Sequence, residues 1–153
     1  MKIMLDKGAK MPTRAHPWDA GLDLYTPEDV KIPASSCRCG GYDGVYGGFV
    51  NVGSAIIDTG VHLEIPEGYV GFIKSKSGLN VNHGLTAEGV IEAHYTGSIR
   101  VKLYNHTNCN YNFKAGDKIA QLVILPVALA PLELVDELDE TDRGDHGFGS
   151  TGR

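Results

Sequence analysis

The sequence predicts an all-β fold built from many short strands, a barrel or a sandwich, and three observations support it. Short segments in which apolar and polar residues alternate recur along the chain, as in half-buried strands. Turn residues separate these segments, and the 7 prolines and 20 glycines leave no room for a long helix. The length of 153 residues fits one domain with a full core.

The clearest strand prediction covers residues 98–104. Ile99, Val101 and Leu103 fall on one face of this segment and polar residues fall on the other. Residues 90–95 precede it across a Thr-Gly turn pair. Two strands joined in this way predict a β-hairpin, on which Glu92 and His94 would share a face.

Two other segments complete the strand prediction. Residues 68–77 alternate and predict a strand, whereas residues 119–125 are nearly all apolar and predict a strand buried on both faces. Only residues 77–85 have the composition of a short helix, and two glycines weaken that prediction.

Charge and hydropathy exclude several classes of protein. With 19 acidic and 14 basic residues the net charge is −5, which argues against a nonspecific nucleic-acid partner. The longest apolar run, residues 119–127, is too short to cross a membrane. Because the first residues lack the apolar core of a signal peptide, we expect a cytoplasmic protein with no membrane partner.

Two stretches depart from the strand pattern. Residues 35–53 are rich in Gly, Tyr and Cys and are interpreted as an inserted loop or an extra hairpin in a domain spanning residues 1–142. Cys37 and Cys39 lie in this insertion, where free thiols are expected and zinc is the minority alternative. Residues 143–153 contain four glycines and one aromatic residue. They cannot build a core, and we expect a flexible lid when no ligand is bound.

The glycine-rich tail has the chemistry of a phosphate clamp. Its backbone N–H groups can approach phosphate oxygens closely, and Ser150 and Thr151 add hydroxyl donors. Arg143 adds a guanidinium that matches phosphate geometry, and Phe148 could stack on a flat base. The alternative is a solvated terminus without a role, and composition alone does not decide between them.

A second anion-binding pattern lies at the end of the strand predicted for residues 68–77. Residues 74–79 combine two lysines, two serines and Gly78, although an ordinary solvated strand end has the same composition. Gln121 lies in an apolar run, where a buried amide without partners costs about 1–3 kcal/mol. It is satisfied either by neighbouring backbone or by pointing into a polar site.

Two carboxylates are candidates for chemistry. Glu92 would lie on the predicted hairpin, where a carboxylate beside a phosphate site can hold a water molecule and accept its proton. The alternative for Glu92 is a plain surface charge. Asp23, flanked by leucines, needs a basic or N–H partner and could be purely structural.

The order of these segments is more specific than any one of them. They resemble the five motifs of the trimeric deoxyuridine triphosphatases (dUTP diphosphatases), at residues 20–24, 76–79, 89–97, 116–122 and 143–152. The resemblance implies a jelly-roll-like β-barrel and a homotrimer whose active sites form at subunit interfaces, with the C-terminal tail crossing onto a neighbour. It also implies hydrolysis of dUTP to dUMP and pyrophosphate, with Mg²⁺ held by the triphosphate and water rather than directly by the protein.

The resemblance assigns roles to individual residues. Glu92 would activate the attacking water, Asp23 would support the metal-water or tail-arginine network, and Tyr95 would pack against the deoxyribose. The uracil edge would be read by the backbone of Gly89, Val90 and Ile91. Phosphates would be held by Lys76, Ser77, Gly78 and Gln121. The tail would close over the outer phosphates and the uracil through Arg143, Phe148, Gly149, Ser150 and Thr151.

Three departures from the family pattern leave an alternative open. The family usually has Asp where Glu92 stands and Arg where Lys76 stands, and the insertion at residues 35–53 looks longer than usual. A nucleotide-binding or regulatory protein with weak or no catalysis, and with a partner at the insertion, is therefore the second hypothesis. A dCTP deaminase is the third, disfavoured by the Tyr95 segment and by the Phe-Gly-Ser-Thr-Gly tail.

Overall fold

The computed structural model describes residues 1–37, 49–142 and 144. Strands dominate this part of the chain and only one short helix, α1, accompanies them. In chain order the elements are β1 (Lys2–Leu5), β2 (Gly21–Tyr25), β3 (Val30–Ile32), β4 (Ser36–Cys37), β5 (Phe49–Asn51), β6 (Gly53–Asp58), β7 (Val61–Glu64), β8 (Tyr69–Lys74), α1 (Ser77–His83), β9 (Leu85–Ile91), β10 (Arg100–Asn105), β11 (Tyr111–Phe113) and β12 (Lys118–Pro126). The predicted all-β class is confirmed.

The largest sheet of the described residues is antiparallel and six-stranded, with strand order β2-β12-β8-β9-β10-β6. Two-stranded ladders β1-β7, β11-β3 and β4-β5 accompany it. The sheets enclose one apolar core, whose fully buried large side chains include Leu24, Ile32, Ile57, Ile65, Leu85 and Leu122. The part of the chain that the structure describes contains no helix with the length and apolar character needed to cross a bilayer.

Alternation predicted the central strands well. Ile99, Val101 and Leu103 are all buried, and β10 occupies most of the predicted segment 98–104. Strand β12 is buried on both faces only near its start, and its last two residues are exposed. The all-buried expectation therefore holds only for Ile119, Ala120 and Leu122.

The predicted strand 90–95 is confirmed only at Val90 and Ile91, which end β9, and is wrong for residues 92–95. Strand β9 ends at Ile91, and residues 92–98 form a loop in which His94 takes a positive φ of 67°. A turn also closes there, since the Tyr95 N–H donates to the Glu92 carbonyl oxygen at 3.3 Å. Glu92 and His94 consequently do not share a strand face, although β9 and β10 do pair as neighbours.

The short helix is confirmed, and one of its two glycines ends it. Gly84 adopts the left-handed conformation with φ 58°, and its N–H donates to the Asn80 carbonyl oxygen at 2.9 Å. A glycine is favoured at this position because other residues enter that conformation at a cost. Strand β8 ends at Lys74, so the strand predicted for residues 68–77 is too long, and Lys76 lies between β8 and α1 rather than on the strand.

The described ends of the insertion at residues 35–53 pair with each other. Strands β4 and β5 form a two-stranded antiparallel ladder, and residues 38–48, with Cys39, lie outside the described residues. At Gly53 a Cβ atom would lie 2.0 Å from the Pro33 carbonyl oxygen, so the chain passes too closely there for any side chain.

After β12 the chain leaves the barrel. Residues 127–142 form neither strand nor helix, and we call them the arm. Its large apolar side chains are exposed, at 78% for Leu129, 102% for Leu132, 99% for Leu134 and 87% for Leu138. The predicted tail contacts of Arg143, Phe148, Gly149, Ser150 and Thr151 lie outside the described residues.

Candidate active site

Asp23 is a buried carboxylate held by two lysines. Its residue is 5% exposed on β2, and its backbone N–H donates to the Thr13 carbonyl oxygen at 2.7 Å. Lys76 Nζ donates to one carboxylate oxygen at 2.5 Å, and Lys118 Nζ donates to the other at 2.6 Å. Both oxygens of Asp23 are thus engaged by cations that reach it from different elements.

The electrostatics of this cluster follow from that geometry. Burial alone would raise the pKa of Asp23, but the hydrogen bonds from Lys118 and then Lys76 outweigh it, and the pKa lies below its ordinary value. The hydrogen bond to Asp23 raises the pKa of Lys118. The carboxylate is therefore ionised at neutral pH, and within this cluster it faces two ammonium groups.

Lys118 is a site residue that sequence reasoning missed. In a regular strand, positions 118 and 121 would point to opposite faces because side chains alternate with period two. The ladder between β12 and β2 is irregular between Lys118 and Ala120. A bulge re-aims side chains in this way, and it brings Lys118 onto Asp23. The position of Lys118 beside Gln121 in segment 116–122 was the available signal.

Gln121 lies opposite Asp23 on β2 and opposite Lys74 on β8. Its amide nitrogen donates to the Ser75 carbonyl oxygen at 3.1 Å, so backbone satisfies part of the amide. A Cβ atom at Gly21 would lie 2.3 Å from the Gln121 side-chain oxygen. The glycine of segment 20–24 thus makes room for the glutamine of segment 116–122.

These side chains open onto a cleft of about 370 Å³. Charged side chains, one amide and several small or apolar residues line it. The lining comprises Ala15, Asp19, Ala20, Gly21, Asp23, Lys76, Lys118, Gln121 and Val123. The two ammonium groups and the amide suit an anionic oxygen-rich ligand, and the carboxylate of Asp19 also lies in this lining.

The start of α1 adjoins Lys76. No side chain caps this helix, so the first-turn N–H groups around Ser77 and Gly78 keep donors free of side-chain partners. A Cβ atom at Gly78 would meet no atom within 4 Å. Packing within the chain therefore does not require glycine at this position, whereas a ligand approaching the backbone would.

The end of β9 offers a backbone edge. Gly89, Val90 and Ile91 pair with β8 on one side. On the other side, the described ladder with β10 pairs only Leu85 to Ala87. The outer edge of residues 89–91 thus has no strand partner in the described ladders and can hydrogen-bond a planar ligand. At Gly89 a Cβ atom would make only ordinary contacts, the nearest at 3.5 Å to Ile73.

Tyr95 and Glu92 belong to the loop that follows. The Tyr95 hydroxyl donates to the Ser98 carbonyl oxygen at 3.0 Å, and the residue is 44% exposed. A Cβ atom at Gly97 would lie 2.6 Å from that hydroxyl oxygen, so the ring lies directly over this glycine. Glu92 is exposed and faces solvent in the single chain.

The structure joins some of the predicted residues and separates others. Asp23, Lys76 and Gln121 meet at one cleft, with Ser77 and Gly78 adjacent in the chain. Lys74 pairs with both Gln121 and Glu88, whereas Glu92 lies four residues beyond Glu88. At roughly 3.3 Å per residue the strand from Glu88 to its end at Ile91 spans about 10 Å, and Glu92 follows it in the loop. One chain alone does not bring Glu92 to the two lysines.

A direct metal site is not formed by the described ranges, 1–37, 49–142 and 144. No three His, Cys, Asp or Glu side chains among them converge in a way that could hold an ion. Asp23, the buried carboxylate of the cleft, already has a lysine on each oxygen.

Comparison with known proteins adds a family to this geometry. A dUTPase family model matches residues 49–152. The deoxyuridine 5'-triphosphate nucleotidohydrolase of Syntrophotalea carbinolica is 40% identical over 152 residues, which is 97% of this chain and 92% of that protein.

Solved structures give the same result. The dUTPase of Staphylococcus bacteriophage 80alpha with dUPNHPP is 30% identical, with a TM-score of 0.82, over 99% of this chain and 98% of that one. A mutant dUTPase of S. aureus phage phi11, in which a structural Mg(II) ion is coordinated, is 28% identical with a TM-score of 0.73 over 91% and 98% of the two chains. With the family model covering more than half of its residues and relatives matching along nearly all of its length, this chain belongs to the dUTPase family.

Proposed function

We propose that this protein hydrolyses dUTP to dUMP and pyrophosphate. The observation that carries the proposal is the cleft in which Asp23 holds two lysines beside Gln121 and the uncapped start of α1. Relatives across the length of the chain are named deoxyuridine 5'-triphosphate nucleotidohydrolase, and a structural neighbour was solved with dUPNHPP.

The triphosphate would bind at the cleft. A polyanion approaching a protein with net charge −5 needs a local concentration of cations. Lys76 and Lys118 supply it, and their present pairing with Asp23 holds them in place until phosphate oxygens share them. The amide of Gln121 and the N–H and hydroxyl groups of Ser77 and Gly78 would complete the cradle.

Base and sugar would be read at the end of β9. The unpaired outer edge of Gly89, Val90 and Ile91 presents N–H and C=O groups in the alternating pattern that a uracil edge can match. Tyr95 would lie against the deoxyribose, where its ring leaves no space for a 2′-hydroxyl. From the tail, Phe148 would stack on the base while Arg143, Gly149, Ser150 and Thr151 close over the outer phosphates.

Glu92 would be the general base. It takes a proton from a water molecule, the water oxygen bonds to the α-phosphorus, and the bond from that phosphorus to the bridging oxygen breaks to release pyrophosphate. Mg²⁺ would enter bound to the triphosphate and neutralise part of its charge. Asp23 and its lysines would orient the phosphates for in-line attack rather than exchange protons.

A homotrimer with shared sites would bring the two halves together. In a single chain Glu92 and Tyr95 stand away from the lysines of the cleft, so a second copy has to supply one half. The arm supports this assembly. Its exposed side chains Leu129, Leu132 and Leu134 would bury apolar surface only if another subunit covered them. The tail that follows the arm would then reach a neighbour's site.

The proposal is tested by incubating the protein with dUTP and Mg²⁺ and measuring pyrophosphate, with Glu92→Gln as the matched control. Release by the parent and its loss in the control would support hydrolysis with Glu92 as the base. The side chain of Glu92 is one methylene longer than that of the family's usual Asp. This difference favours a second candidate, a dUTP-binding regulatory protein with little turnover. Tight dUTP binding without pyrophosphate release would select that candidate.

A further inference from the structure

The loop that carries Tyr95 is tied to the barrel by a histidine. His62 lies on β7, and its side chain is 17% exposed. Its Nδ1 atom lies 2.8 Å from the carbonyl oxygen of Thr96, and its Nε2 atom lies 3.2 Å from a carboxylate oxygen of Asp6. One imidazole ring therefore bridges the loop at residues 92–98 and the turn that follows β1.

Both partners of this ring are acceptors. A backbone carbonyl cannot donate a proton, and neither can an ionised carboxylate. A neutral imidazole carries one N–H and satisfies only one of Thr96 and Asp6, whereas an imidazolium ion carries two and satisfies both. Both contacts are therefore satisfied as hydrogen bonds only when the ring is protonated.

The hydrogen bonds and charges around the ring favour its protonated form. The hydrogen bond to Thr96, followed by that to Asp6, raises the pKa of His62 above its ordinary value; burial opposes the rise, and the charges of Asp6 and Asp58 add to it. The charged groups near the ring come from β1, the turn after it, β6, β7 and β10, and they are Lys2, Asp6, Asp58, Glu64 and Arg100. Arg100 pairs with Asp58 and Lys2 pairs with Glu64, which leaves Asp6 to the histidine.

The position of Tyr95 depends on the segment that His62 holds. The Tyr95 hydroxyl donates to the Ser98 carbonyl oxygen and the ring lies over Gly97, so residues 96–98 form the surface on which the ring rests. The second histidine of the loop, His94, pairs with Glu67 at 3.2 Å, but both side chains are at least 76% exposed. Such an exposed pair contributes little, and it serves as the matched comparison.

We propose that protonated His62 is a positioning residue for Tyr95, and that its deprotonation loosens the loop and weakens the rejection of ribonucleotides. The role in sugar discrimination rests on the proposed function. Because the bridge needs the protonated ring, it is present at pH values below the titration of His62 and is lost as the pH rises through it.

The bridge itself is tested without turnover. NMR titration of the ligand-free protein from about pH 5 to pH 9 follows the His62 ring and the backbone amides of residues 95–98. We expect one shared midpoint in the parent protein, a lower midpoint in Asp6→Asn, no transition at these amides in His62→Gln and an unchanged midpoint in His94→Asn. Amides that do not titrate with His62, or a midpoint that Asp6→Asn leaves in place, would overturn the bridge.

Sugar discrimination is tested by binding. Calorimetry with the α,β-imido analogues of dUTP and UTP gives the ratio of the two dissociation constants across the same pH range. We expect preference for the deoxy analogue to fall several-fold through the His62 midpoint, to shift with that midpoint in Asp6→Asn and to be independent of pH in His62→Gln. A parent ratio that stays flat while the amides titrate overturns the positioning role. Failure to bind either analogue overturns it together with the proposed function, whereas the NMR result still decides the bridge.

Discussion

Lys76 and Lys118 each donate to a different oxygen of Asp23, at 2.5 and 2.6 Å, so one buried carboxylate sets the spacing of two ammonium groups. The lysines come from the residue before α1 and from the first residue of β12, which are far apart in sequence. The approach of the two lysines at the cleft therefore depends on tertiary structure, and Asp23 sets their positions.

Replacing Asp23 with Asn should destabilise the fold. The carboxylate is buried, but the lysine side chains are 27% and 43% exposed and can regain water, so we expect a loss of about 1–2 kcal/mol rather than the ~3–5 kcal/mol of a fully buried pair. Urea unfolding at pH 7 measures it. Because the pKa of Asp23 is lowered in the fold, its contribution is present above the ordinary value of 3.8 and is lost as the pH falls through the folded value.

The pH dependence of the stability at acid pH is the control for this prediction. As the pH falls below about 4, the parent protein should lose stability more steeply than Asp23→Asn does. Parallel curves for the two proteins would show that the ion pairs at Asp23 contribute nothing measurable.

Lys118→Ala should weaken substrate binding. Loss of one of the two ammonium groups is expected to raise KM for dUTP about tenfold, equivalent to about 1.4 kcal/mol, with Lys118→Arg retaining more of the affinity. Lys114→Ala is the matched control, since it removes the same charge from a residue that pairs with Asp29 on the surface. Equal effects of the two alanine variants would assign the loss to net charge rather than to the cleft.

Gly78→Ala should separate folding from function. A Cβ atom at this position meets no atom within 4 Å, and alanine favours helix over glycine, so stability should be unchanged or slightly higher. Turnover of dUTP should fall at least tenfold, because the methyl group occupies the space above the first helical turn. Steady-state kinetics with thermal unfolding checks both halves of the expectation.

Gly84→Ala provides the reverse case. Its φ of 58° and a Cβ contact of 2.8 Å to Thr107 predict a loss of about 1 kcal/mol in stability with turnover per folded molecule retained.

Wild-type turnover in Gly78→Ala would remove the argument that a ligand approaches the backbone at Gly78.

The arm should contribute to assembly. Leu132 and Leu134 are fully exposed in the single chain, so replacing both with Ser should shift the proposed trimer towards monomer in light scattering at micromolar concentration. Val81→Ser, at a residue 82% exposed on α1, is the control that leaves the distribution unchanged. A double variant with the same oligomeric state as the parent would place these leucines outside any interface.

Sequence patterns predicted the parts of the molecule that depend on local chemistry. Alternation located β10 through Ile99, Val101 and Leu103, because one face of a strand on a single core must be apolar. The strand prediction was wrong for residues 92–95, after β9. His94 takes a positive φ there, a conformation that the pattern of residues does not specify.

Two site residues escaped prediction for a different reason. Lys118 reaches Asp23 only because the ladder of β12 and β2 is irregular, and His62 meets Thr96 across 34 positions of sequence. The position of Lys118 in segment 116–122 with Gln121 was a signal for Lys118 itself, but neither contact has a local signature in the sequence. The motif residues Asp23, Lys76 and Gln121 could be grouped from the family resemblance, and the fold brings them to one cleft.

Pyrophosphate release from dUTP by the parent protein and by Glu92→Gln, measured side by side with Mg²⁺, tests the central claim most directly. We expect release by the parent and a fall of about 10²–10⁴-fold in kcat for the variant, with dUTP binding retained, since the amide keeps the shape of the side chain and loses its basicity. Equal rates for the two proteins, or no release by the parent, would contradict the account of Glu92 as the base that activates water.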